Sequence, residues 1–196
     1  HERGVACPPR RSKAAKHRQD RKTMIRLLLV ALSLCLSSAV LAQSATERAF
    51  DAAIAQTEAA LPQLGAEAFG VDVKAYRDAL SLRRFTSRHW GGEITVAVVS
   101  ESKESGSCAR YAAYVRLPPE RGAVRLVLCP QFSTPGADDL RRLTILHEMV
   151  HVVAGSNECQ AMAFAALIEQ LATGSFTPVT RYWEANGCAG SGYALP

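Results

Sequence analysis

Eight residues, Thr144-Ile145-Leu146-His147-Glu148-Met149-Val150-His151, constrain this chain more than any other stretch: two histidines stand four apart, with a glutamate directly after the first. On a helix that spacing brings both imidazoles to one face, one turn apart, where they can share a metal ion. The apolar residues agree with a helix. At 100° per residue Leu143, Leu146, Met149, Val150 and Val153 form one broad face, with His147 and His151 beside it. A helix so apolar is expected to be mostly buried, and two imidazoles and a carboxylate inside a core need hydrogen-bond or metal partners. Zn²⁺ takes neutral imidazole nitrogens and, where it is catalytic, three protein ligands plus an open position for water. His147 and His151 supply two of the three, and Glu148 is left to act as general base on that water.

The full chain looks basic, with 23 Lys+Arg against 18 Asp+Glu, but the excess is confined to its start. Met24-Ile25-Arg26 opens an apolar run over 27–41, and Val40-Leu41-Ala42 supplies small side chains at the positions a signal peptidase reads. Residues 24–42 are expected to be a secretory signal, and 1–23, without apolar periodicity, a non-native or disordered extension. From Gln43 onward 14 basic residues face 16 acidic ones. The basic surface that would favour nucleic acid or an anionic membrane is gone, and no stable membrane span is expected after cleavage. Residues 43–196 are enough for one domain with its own core.

That segment contains Cys108, Cys129, Cys159 and Cys188. An even number behind a secretory signal, with no Cys-x-x-Cys pair, predicts two disulfides and a secreted or periplasmic location. Strand-like runs over 109–117 and 123–129, separated by Pro118-Pro119-Glu120-Arg121-Gly122, read as a hairpin whose outer ends bring Cys108 opposite Cys129. Cys159 is then left to Cys188.

Elsewhere the pattern is α+β. Ser44-Ala45-Thr46-Glu47 is a capping box, followed by Phe50, Ile54 and Leu61 at helical spacing until Pro62. A second helix starts at Asp72 and carries Val73, Tyr76 and Leu80. Arg83, Arg84, Arg88, His89 and Trp90 form a cluster suited to a solvated helix end or a substrate contact. Ile94, Val96 and Val98 alternate as a strand. Asp138 or Asp139 should cap the histidine helix, Gly155 should end it, and Ser156 or Asn157 should cap another helix whose run 161–168 packs on the first.

After His151 there is no further histidine and no aspartate, only Glu158, Glu169 and Glu184. Glu158 lies in the first turn after the Gly155 corner, where a short turn can fold it back over the imidazoles. Glu169 is on nearly the same face but about 16 Å further along the helix, so one of the two, not both, can be a third ligand.

A strand, a loop, a His-Glu-x-x-His helix and a glycine turn followed by an acidic residue, over about 124–165, resemble a zincin metallopeptidase. Gly155-Ser156-Asn157-Glu158 is similar to the Gly-Thr-x-Asp of aspzincins, with glutamate for aspartate; gluzincins also use a glutamate, usually further downstream. The resemblance implies a small antiparallel or mixed sheet packed on the active-site helix. It also implies Zn²⁺ on His147, His151 and Glu158, with Glu148 as base, and a peptide or protein substrate lying along the strand 123–128 as the sheet edge. An oxyanion partner would come from Tyr182, Tyr193 or His89. The expected function is a secreted or periplasmic zinc metallopeptidase. The alternatives are a non-catalytic zincin-fold binding protein and a cell-wall peptide amidase. Nothing in the sequence speaks to oligomeric state.

Overall fold

The computed structural model describes residues 43–196, so the extension and the signal segment lie outside the described residues. Helix α1 (Ala45–Ala60) begins at the expected capping box: Ser44 Oγ accepts from the Glu47 amide at 3.1 Å and Glu47 Oε2 accepts from the Ser44 amide at 2.7 Å. Two short strands, β1 (Glu67–Ala68) and β2 (Val71–Asp72), pair antiparallel and lead into α2 (Val73–Leu80), capped by Asp72. Strands β3 (Phe85–Thr86), β4 (Glu93–Ser100), β5 (Ala113–Glu120) and β6 (Ala123–Leu128) precede α3 (Asp138–Ala154), α4 (Glu158–Thr173) and the short α5 (Thr180–Ala185). Among the described residues no helix is long and apolar enough to cross a membrane.

The four longer-range strands form one mixed sheet in the order β3-β4-β6-β5, with β6 parallel to β4 and antiparallel to β5. This corrects the expectation that 123–128 is the sheet edge. The reason is chemical. In β6 Val124, Leu126, Val127 and Leu128 are all buried, which suits a strand flanked on both sides. Strand β5 carries Pro118 and Pro119, which have no N–H to give a ladder and so belong at an edge. Strand β5 starts at Ala113, later than the sequence pattern implies, because 106–109 form a 3₁₀ turn that holds Cys108.

Helix α3 lies between the sheet and the other helices, packing on β5, α1, α2 and α4. Ile145, Leu146, Met149, Val150 and Val152 are fully buried, each burial contributing about 1.5–3 kcal/mol relative to exposure. Tyr76 locks α2 to it: the ring meets Phe164 edge-on at 4.7 Å, and the hydroxyl donates to the Leu146 carbonyl at 3.0 Å. The expected aspartate cap is not used. Ala137 occupies the cap position, and the Asp138 carboxylate accepts from the buried Arg141 guanidinium, which also donates to the Phe132 and Thr134 carbonyls. Both expected disulfides are formed, Cys108–Cys129 and Cys159–Cys188. The chain is therefore suited to an oxidising compartment.

Candidate metal centre

His147, Glu148 and His151 all lie on the buried face of α3, 7%, 8% and 3% exposed. The helix stops at Gly155 with φ 92° and ψ −168°, a backbone conformation essentially reserved for glycine. That corner points the Gly155 carbonyl back at the helix, where it accepts from His151 Nδ1 at 2.8 Å. The proton is thereby fixed on Nδ1, and the Nε2 lone pair faces the cleft. Asn157 caps α4 by accepting from the Gln160 amide at 3.0 Å, which makes Glu158 the first residue of the new helix and aims its carboxylate at the imidazoles.

The three groups converge. His151 Nε2 is 3.0 Å from His147 Nε2, His147 Nε2 is 3.1 Å from Glu158 Oε2, and His151 Nε2 is 3.4 Å from the same oxygen. Ligands around a tetrahedral ion at about 2.0–2.1 Å stand about 3.3–3.4 Å from one another, so the triangle has the size of one face of such a shell. Two imidazole nitrogens and a carboxylate oxygen all present electron pairs to a common point, and a cation there removes their mutual repulsion. The three residues could hold a metal ion.

Protonation states follow the same logic. Burial pushes His147 down, toward the neutral imidazole that ligates metals. For His151 burial acts against the charge, but the Glu158 contact, the Glu148 carboxyl and the Gly155 carbonyl outweigh it and move the pKa up. Burial of Glu158 is overcome by its contacts with His147 and His151 and by the Tyr182 hydroxyl, which hold its carboxyl well below the usual range and keep it anionic. Glu148 behaves oppositely: burial pushes its carboxyl up to about 8, against smaller lowering effects from His151 and the Val115 N–H.

Of the three proposed oxyanion donors, Tyr182 stands at the centre. Its hydroxyl donates to Glu158 Oε2 at 2.7 Å, and its ring meets His147 edge-on at 5.8 Å. Tyr193 packs edge-on against Phe69 at 6.2 Å. His89 lies against the Gly155 corner, where a Cβ on the glycine would come within 2.6 Å of its Nε2. Its neighbours are structural too: Trp90 Nε1 donates to the Val152 carbonyl at 2.8 Å, and Arg88 pairs with Asp72 and Glu67. His89 and Trp90 thus buttress the end of α3, whereas Arg83 and Arg84 lie exposed just past α2 as a solvated helix end, Arg83 pairing with Asp78 at 3.1 Å. Glu169 is 2% exposed and holds Arg142 at 3.2 Å and the Thr177 amide at 2.7 Å, away from the histidines.

Strand β5 contributes what periodicity alone did not reveal. Its pairing with β6, with the Cys129 amide donating to the Ala112 carbonyl at 2.9 Å, leaves the N–H and C=O of Ala113 and Val115 on the open edge beside Glu148. Two cavities meet there, of about 280 and 180 Å³, sharing Tyr111, Ala113, Glu148 and Tyr182 in their walls. Comparison with protein-family models, with curated proteins and with solved structures gives no match for this chain.

Proposed function

We propose that the chain is a secreted or periplasmic zinc-dependent metallopeptidase, with His147, His151 and Glu158 holding the ion and Glu148 as general base. The observation that carries this reading is the convergence of two imidazole Nε2 atoms and one carboxylate oxygen within 3.4 Å, beside a buried carboxyl with no role in the triangle. Zinc in such a site lowers the pKa of a bound water to about 7 and polarises a carbonyl.

The remaining work falls to the chain. Glu148, a buried carboxyl beside the triangle and outside it, is placed to accept a proton and give it up again. It takes the proton of the attacking water and returns it to the leaving amine. The outward N–H and C=O groups of Ala113 and Val115 accept an extended peptide as an added strand, so β5 takes the role first expected of 123–128. Tyr182, its pKa raised by burial and by Glu158, keeps its proton and remains a donor. Its single O–H bonds Glu158 in the resting site, and turning that donor from Glu158 to the oxygen that gains charge is the role assigned to it.

The test is metal stoichiometry of the purified 43–196 chain together with peptide hydrolysis. One equivalent of zinc is expected in both the wild type and Glu148→Gln, with hydrolysis reduced about 10²–10⁴-fold in the variant. Unchanged hydrolysis by Glu148→Gln would remove the mechanism. Stoichiometric metal without cleavage of any peptide would favour a non-catalytic binding protein.

A further inference from the structure

The two cavities beside Glu148 differ in character. The larger, about 280 Å³, has apolar walls from Leu143, Met162 and Val179 and carries Arg110 on its lining. The smaller, about 180 Å³, contains His151 and the anionic Glu158 and is lined by no lysine or arginine. The cleft is therefore polarised, with a permanent cation at one end.

Arg110 makes no hydrogen bond or ion pair to a carboxylate among the described residues. Arg116 and Arg125, on the neighbouring strands, are matched to Glu101 at 3.7 Å and Glu120 at 3.2 Å. The Arg110 guanidinium sits 5.8 Å from the centroid of the Tyr111 ring, and that ring is itself a wall of both cavities. Resting on an aromatic face limits the sweep of a long side chain and leaves its planar donor edge open. A guanidinium held this way is suited to a carboxylate, which accepts two parallel N–H bonds.

We propose that the larger cavity is a subsite for a peptide group that presents an apolar side chain next to a carboxylate, with Arg110 as the partner of that carboxylate. The subsite deepens the peptidase reading and rests on it. The apolar side chain fills the space between Leu143, Met162 and Val179. The carboxylate, from a free chain terminus or from an acidic side chain, lies at the rim on Arg110, away from Glu158.

The test measures binding, so that it does not depend on turnover. Zinc-loaded 43–196 chain carrying Glu148→Gln is titrated with three tetrapeptides that share one leucine. The first ends in a free carboxylate, the second in a carboxamide, and the third in a carboxamide with glutamate as its last residue. At least one carboxylate-bearing peptide is expected to bind about tenfold more tightly than the plain carboxamide, and which one does identifies the source. Adding Arg110→Gln should bring that ratio close to one. Equal affinities, a preference that survives Arg110→Gln, or no binding by any peptide would overturn the subsite. The peptidase reading fails separately: wild-type protein that binds with the Arg110-dependent preference yet cleaves none of the peptides would end it and leave the subsite standing.

Discussion

Glu158 and Glu169 are two carboxylates on one helix with opposite surroundings, and a single substitution at each separates their roles. Glu158 is fed by His147, His151 and Tyr182 and lies in the cleft. Glu169 is closed in by Arg142 and by the amide and hydroxyl of Thr177. Glu158→Ala should lose bound zinc and unfold near the temperature of the zinc-free wild type, because the side chain is partly exposed and His151 keeps its bond to the Gly155 carbonyl. Glu169→Ala should keep zinc but lose about 1–3 kcal/mol of stability, since it leaves the Thr177 amide without its acceptor and takes one of two carboxylates from Arg142, which keeps Asp139. Zinc stoichiometry and thermal unfolding of both variants decide the matter. Zinc lost from Glu169→Ala and retained by Glu158→Ala would transfer the ligand role. The sequence pointed to Glu158 through the Gly155 corner and kept Glu169 as the rival, because helical spacing shows that the two share a face without showing what closes in on either.

The elements around that corner act as a clamp. Gly155 ends α3 in a conformation that side chains avoid, turns its carbonyl onto His151 and starts the approach to Glu158, while His89 closes the space above its Cα. Gly155→Ala is expected to fail for two separable reasons: backbone strain of about 1–3 kcal/mol and collision with the imidazole of His89. Combining it with His89→Ala should restore part of the lost melting temperature and part of the zinc affinity, and the strain term should remain. If the double variant is no better than Gly155→Ala alone, His89 does not press on the corner. A glycine after the last periodic residue was readable as a helix end. The histidine above it was not, because the approach of the 87–92 turn to the end of α3 is a long-range contact with no local pattern. The same limit explains the sheet. The hairpin of β5 and β6 could be seen from its prolines and apolar runs, but which of its strands stands inside depends on β4 pairing with β6, a position that suits the two-sided burial of Leu126, Val127 and Leu128.

Across the whole molecule the two disulfides divide the work between sheet and site. Cys108–Cys129 ties the turn before β5 to the end of β6 and so sets the lower end of the edge strand; its pairing could be read from the hairpin. Cys159–Cys188 joins the residue after Glu158 to the C-terminal tail, 29 positions away. Between those two cysteines in sequence lie α5 and Tyr182, whose hydroxyl bonds back to Glu158, so the covalent link and the hydrogen bond close the same corner from two directions. The chain-entropy model assigns a loop of this length about 3–4 kcal/mol of stabilisation. The core of α1, α3 and α4 and the sheet do not depend on the link, so its loss should be felt first at the centre. The double variant Cys159→Ser, Cys188→Ser is expected to fold with unchanged far-ultraviolet circular dichroism, melt several degrees lower, and release zinc faster to a chelator than the wild type. Mild reduction of the wild-type protein should reproduce the faster release. Equal release rates in the presence of a lowered melting temperature would show that the bond supports the fold alone and that the turn holding Glu158 is set by Gly155 and Asn157 without it.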